Sequence, residues 1–396
     1  IHPPIISIPC LMKSCHLPSS FCHCNSIWSD IFRERWANKK ILGVYGLWPE
    51  NLNDFRLTVY LIYVLSFDIF DIITLCQNIH NLQKLCRILT KVFPNILLLL
   101  KVFMFRVQIH SVLSLVTIVN KDTKKHLYKT NWEKQKFVTY NSAAALFTSS
   151  CYLSLFMASH LILTVDFGNC SLPFELTRRV PPIFEVTDFR TYLYFSLYFV
   201  SIIPLLPLGA TGADSFLVSV TFHICAQLSV LADRIKRTCV EADKHEKEMR
   251  FFLNRHNELL RLAAALEKVS SPIMFVQTFG LMWSLCIVVF QLLMMTDGGD
   301  VLNTVMYVIF SSAVVILIFS YCFIGECLIH ESSQVEVAYY LLDWYELPSR
   351  MARPLSICIA RSQRPLYLTA GKFYVLSIET FATVRDTTSI MRGNRT

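Results

Sequence analysis

Residues 273–295 (IMFVQTFGLMWSLCIVVFQLLMM) and 301–329 (VLNTVMYVIFSSAVVILIFSYCFIGECLI) are two apolar runs joined only by Thr296, Asp297, Gly298, Gly299 and Asp300. Neither carries a charge before Glu326, and each exceeds the roughly 20 residues an α-helix needs to cross a hydrocarbon layer of about 30 Å. In lipid every backbone N–H and C=O must find its partner inside the segment, which leaves the helix as the form such runs take. The pair therefore reads as a transmembrane helical hairpin. Outward from it, further apolar runs lie at about 56–79, 88–115, 139–165, 191–221 and 365–391; with the hairpin at 270–295 and 301–329 they make about seven spans. The first two carry Asp68, Asp71, Lys101 and Arg106, which must face protein or water, or snorkel to a surface.

Composition agrees with lipid as the solvent. Hydrophobic residues make up 54% of the chain, charged residues 17%, and the mean hydropathy is +0.45, whereas soluble chains carry roughly 25% charge. The net charge of +8 reports orientation before it suggests any nucleic-acid partner, because Lys and Arg collect in cytoplasmic loops. Basic residues crowd the N-terminal region (Arg33, Arg35, Lys39, Lys40), the second-to-third gap (Lys121 to Lys136), the fourth-to-fifth gap (Arg234 to Lys268) and the sixth-to-seventh gap (Arg350, Arg353, Arg361, Arg364). The alternate gaps are poor in them. The expected fold is all-α, a seven-transmembrane helical membrane protein with a cytoplasmic N-terminus and an extracellular C-terminus. Asn169, Cys170 and Ser171 then form a glycosylation triplet in an outer loop.

That orientation is opposite to a G-protein-coupled receptor's. Asp233, Arg234 and Ile235 follow the fourth span and not the third, so they read as a charged helix exit into cytosol. The fourteen cysteines lie mostly inside apolar runs without repeated metal-ligand spacing. His16, Cys22, His23 and Cys24 have no second cluster to complete a tetrahedral site, so no metal or other cofactor is expected. Residues 1–30, mixing Pro, Ser and Cys, read as a disordered tail or a gene start placed too early, ahead of one helical domain at 31–396. No enzyme signature is present: His330-Glu331 lacks the second His of a zinc protease, and Gly371-Lys372 lacks the rest of a phosphate loop.

The gap at 235–268 places Phe251, Leu259, Leu262 and Leu266 at helical spacing, and the fourth span is too long for one crossing even if Pro204 and Pro207 bend it. Helices should thus continue beyond the bilayer into a packed cytoplasmic layer, where Leu342, Trp344, Tyr345 and Leu347 are suited to subunit contact.

Two C-terminal stretches, LLDWYELP at 341–348 and RSQRPLYLTAGKFYVLSIETFATV at 361–384, closely resemble the pattern of the insect odorant receptors. Weaker agreement covers Gly46, Leu47, Trp48 and Pro49, and the helix around Gln227, Leu228, Leu231 and Arg234. The resemblance spans about residues 30–390. It implies the odorant-binding subunit of a ligand-gated, non-selective cation channel, assembled as a heterotetramer with an olfactory co-receptor. Volatile organic compounds would open it without a G protein, in the plasma membrane of a sensory-neuron dendrite. A gustatory-receptor-like channel and a G-protein-coupled receptor are the alternatives, and LTAGKF favours the odorant branch.

The residues of the seventh span fit a water-facing role. Thr369, Lys372, Ser377, Glu379, Thr380, Thr383 and Thr387 are too polar to face lipid alone, and hydroxyls with a carboxylate suit a cation path. Glu379, Thr383, Thr387, Ile390 and Met391 are the expected pore residues, and Lys372 and Glu379, seven apart, should share one helical face. The stretch after Thr387 ends polar, leaving Ile390 and Met391 for a dewetting gate; the expectation is a misread terminal exon, or a pore closed mainly by co-receptor subunits. For a small apolar ligand the expected pocket has aromatic walls. Ser154 and Met157 on span three, Tyr194, Tyr198 and Ile202 on one face of span four, and Tyr307 with Phe310 on span six are its candidates.

Overall fold

The structure, a computed structural model, describes residues 38–77, 79–80, 82–124, 130–144, 189–237, 245–294, 301–342 and 349–383. A short helix at 38–44 (α1) leads to α2 (Asp54–Gln77), α3 (Leu82–Val107) and α4 (Ile109–Lys124). The described part of α5 covers 131–144. Then come α6 (Phe189–Arg237), α7 (His245–Met294), α8 (Val301–Tyr340) and α9 (Ser349–Ser362). A two-stranded antiparallel hairpin, β1 (Thr369–Ala370) and β2 (Tyr374–Val375), precedes α10, which opens at 378 and is described to 383.

The helices outrun the bilayer. At 1.5 Å per residue the 49 residues of α6 reach about 73 Å and the 50 of α7 about 75 Å, more than twice the hydrocarbon thickness. Four helical stretches among the described residues are long and apolar enough to cross a membrane: Ile88–Val107, Thr211–Arg237, Glu248–Met294 and Tyr307–Tyr340. The expected second span is longer than its apolar run. It begins at Leu82, passes through Gln108, whose N–H bonds Met104 O and whose carbonyl takes Val112 N–H, and ends at Lys124.

The core lies along α6. Its stretch from Thr211 to Arg237 is buried almost all round, with Leu217, Ile224, Leu228 and Leu231 at helical spacing and close to fully enclosed. It packs against α8 most extensively, then against α7, α3 and α4. Burying a helix on every side removes more apolar surface than a one-sided stripe would. By contrast α2, α3 and the first half of α8 turn Phe55, Ile62, Phe103, Val308 and Ile316 outward, as a lipid-facing surface should.

Charge inside the bundle is paired. Lys101 Nζ of α3 meets Asp214 Oδ2 of α6 at 2.7 Å, with the lysine side chain only 3% exposed. Arg255 of α7 bonds both oxygens of Asp122 on α4 (3.0 and 2.8 Å), Gln227 of α6 (3.1 Å) and its own neighbour Glu258 (2.8 Å). Arg234 donates twice to Glu133 of α5, at 2.6 and 2.8 Å, and Asp233 pairs with Lys136. The charged helix exit expected at Asp233-Arg234 is therefore occupied by contacts to α5.

The largest departure from expectation is at the seventh span. Residues 365–377 are not helical; Gly371 and Lys372 both adopt positive φ (63° each) and turn the chain between β1 and β2. A Cβ on Gly371 would lie 2.8 Å from the Phe275 ring, so that corner is closed to larger residues. The helix starts at 378. Lys372 consequently shares no helical face with Glu379, and the expected single helix from Pro365 is corrected to a hairpin followed by α10.

Candidate functional site

At the end of the bundle where α2 ends and α6 begins, Tyr198 is half-buried against α2. Its ring meets Tyr63 edge-on with centroids 5.2 Å apart, its carbonyl accepts the Tyr63 hydroxyl at 3.2 Å, and its hydroxyl shares a 2.7 Å hydrogen bond with Ser66 Oγ. Sequence reasoning nominated Tyr198 but neither Tyr63 nor Ser66, whose partner lies 132 or more positions away. Tyr194 sits one turn earlier and is 72% exposed beside Leu193 and Leu197. The helix turns it outward, where its ring is an apolar body with a wet tip. Tyr307 and Phe310 lie half-buried on α8. The backbone at Ile202 is helical, and Ser154, Met157 and Asn169 fall outside the described residues.

A second candidate region is the approach to α10. The N–H of Leu366 donates to Ser332 Oγ (2.9 Å), that of Thr369 to Glu267 Oε2 (3.1 Å) and that of Gly371 to Ser271 O (2.9 Å). Thr369 and Ser271 hydroxyls share a further bond at 3.0 Å, and the Tyr374 hydroxyl reaches Thr278. The hairpin is thus seated along α7. Beyond it, Ser377 caps α10 by accepting the Thr380 N–H at 3.2 Å. Phe381 turns inward onto Phe319 of α8, with centroids 5.4 Å apart, while Glu379 and Thr383, one turn apart, are both exposed on the opposite side. An acidic and a hydroxyl side chain on one exposed stripe can border water or another subunit. Thr387, Ile390 and Met391 lie outside the described residues.

The expected subunit-contact residues divide. Leu342 is buried within the chain. The adjacent Tyr340 and Leu341 carry the exposed apolar surface instead. Trp344, Tyr345 and Leu347 lie outside the described residues. Among the described residues no group of His, Cys, Asp or Glu side chains is arranged to hold a metal ion.

A family model described as 7tm Odorant receptor matches residues 81–388. Odorant receptor 82a of Drosophila melanogaster is 23% identical over 337 residues, covering 81% of this chain and 86% of that protein. The odorant receptor coreceptor of Anopheles gambiae is 26% identical over a shorter 138 residues, 34% of this chain and 28% of that protein. Among solved structures, the insect olfactory receptor OR5 from Machilis hrabei in complex with eugenol superposes with a TM-score of 0.75 at 13% identity, over 90% of this chain and 97% of that one. That similarity establishes the shared fold.

Proposed function

This chain belongs to the 7tm odorant receptor family, a family of membrane-embedded receptors and not of enzymes, and from that premise we propose that it is the odorant-binding subunit of a ligand-gated, non-selective cation channel. It works in the plasma membrane beside an olfactory co-receptor, in a heterotetramer, with its N-terminus in the cytosol. The observation that carries the channel reading is the stripe of Glu379 and Thr383 on α10, exposed in the single chain and continued in sequence by Thr387, Ile390 and Met391. In an assembly of such subunits that face lines the cation path.

Ligand selection belongs to Tyr194, Tyr198, Ile202, Tyr307 and Phe310, with Ser154 and Met157 from the third span. Tyr63 and Ser66 hold Tyr198 in place. The ligand class is a small, mostly apolar volatile compound bearing at most a polar group or two, since the nominated walls are aromatic and aliphatic. The OR5 fold, solved with eugenol, supports a ligand of that kind.

Two measurements test the proposal. An odorant panel applied to cells carrying this chain with a co-receptor should find agonists. Tags inserted near Glu175 and near His245 should be reached by impermeant label in intact cells only at the first position. Labelling at His245 would overturn the topology.

A further inference from the structure

Ile378 is the first residue of α10, and the first N–H groups of a helix have no partner within it. Ser377 answers that of Thr380. The N–H of Ile378 is answered from another helix: it donates to Glu326 Oε2 of α8, 52 residues earlier, at 3.2 Å. The contact depends on a close approach. A Cβ on Gly325 would lie 2.1 Å from the Leu376 carbonyl oxygen, so only glycine lets α8 come near enough to bring Glu326 to the end of the hairpin. From Leu366 to Ile378 the chain is thus tied to α8 at both ends and to α7 between them.

We infer that Glu326 is a positioning residue for channel opening: by accepting the Ile378 N–H it fixes the axial register of α10 against α8, and so couples movement of α8 to Glu379 and Thr383. The inference rests on the channel reading above. It makes the carboxylate's acceptor oxygen, and not its charge, the working feature. A glutamine keeps that oxygen and an alanine does not. Proline at the first helical position keeps the helix, because its fixed φ suits the first turn, but removes the N–H. Alanine at the same position removes only the side chain.

The test uses the full chain beside a co-receptor, comparing wild type, Glu326→Gln, Glu326→Ala, Ile378→Ala, Ile378→Pro and the double variant Glu326→Ala/Ile378→Pro. Glu326→Ala and Ile378→Pro should each move the odorant half-maximal concentration, or the ratio of basal to evoked current, by about tenfold, the most that loss of one ordinary hydrogen bond shifts a two-state equilibrium. Glu326→Gln and Ile378→Ala should stay near wild type, and the double variant should go no further than either single one. Glu326→Gln as damaged as Glu326→Ala would overturn the inference, making Glu326 a charge for the ion path. So would Ile378→Pro behaving as Ile378→Ala, a comparison that decides the matter even where Glu326→Ala fails to reach the surface. Amide hydrogen exchange across 377–383 in the purified chain reads the same contact without current: slow in wild type and Glu326→Gln, faster in Glu326→Ala. Equal rates in all three refute the contact, whereas a wild type silent to every odorant refutes the channel reading and leaves this exchange result standing.

Discussion

At the end of the bundle that carries the helical extensions, Asp122, Arg255, Gln227, Arg234 and Glu133 form ion pairs and hydrogen bonds linking α4, α5, α6 and α7, and nearly all are buried. At the opposite end α2 and α6 meet through rings and hydroxyls, at Tyr63, Ser66 and Tyr198, while Tyr194 of α6 and Val305 and Val308 of α8 face outward. The first kind of contact admits one geometry, because a buried charge that loses its partner is costly. The second tolerates rearrangement at small cost, since aromatic faces slide and a hydroxyl finds another acceptor. On the proposed function, such a molecule keeps its charged end fixed for assembly and leaves the opposite end adjustable to a ligand. Asp122 shows how strongly the charged end is held. Burial alone would raise its pKa, yet the Arg255 guanidinium bonded to both its oxygens, with the His223 ring close by, outweighs that and brings it down to about 2.

The largest effect expected from this contrast is at Arg255. Arg255→Ala leaves Asp122 buried without its main partner and should cost about 3–5 kcal/mol, enough to abolish surface protein. Thermal unfolding of the detergent-solubilised chain measures it, and a melting temperature like the wild type's would remove the claim that this end is rigidly built. Arg234→Ala, at a pair more open to water, should cost about 1.5–3 kcal/mol by the same assay.

At the opposite end the order of effects should invert. Ser66→Ala removes one hydrogen bond to Tyr198, worth about 1 kcal/mol of stability, so surface protein should be nearly unchanged while the rank order of odorant potencies shifts. A uniform loss of response to every ligand, with less protein at the surface, would assign Ser66 to packing. The smallest expected effect on the fold is at Leu341, which is 66% exposed. Leu341→Ala should leave the folding stability within about 0.5 kcal/mol of wild type while reducing recovery of co-receptor from detergent. Unchanged co-purification would move the subunit contact elsewhere.

The sequence made the hairpin at 273–329 legible because its apolar runs are long, uncharged and separated by a glycine-rich turn. The extension of α7 before its apolar run was equally open to reading, through Leu259, Leu262 and Leu266, all buried in the structure. The β-hairpin at 369–375 was not. Its strands are two residues each, too short to show alternation, and Leu366, Leu368, Phe373 and Val375 extend the apolar run of the following helix back through it. Gly371, six residues after Pro365, was the available warning. Tyr63 and Ser66 carry no local signal, because their partner Tyr198 lies 135 and 132 positions away. Pairing such as Lys101 with Asp214, 113 residues apart, is set by how α3 crosses α6, and no local pattern encodes it.

The central claim, an odorant-gated cation channel built with a co-receptor, is tested most directly by recording membrane current from cells carrying this chain with and without the co-receptor, with G-protein signalling blocked. The account predicts odorant-evoked inward cation current in the co-expressing cells alone, undiminished by the block. Evoked responses that vanish when G-protein signalling is blocked would contradict it.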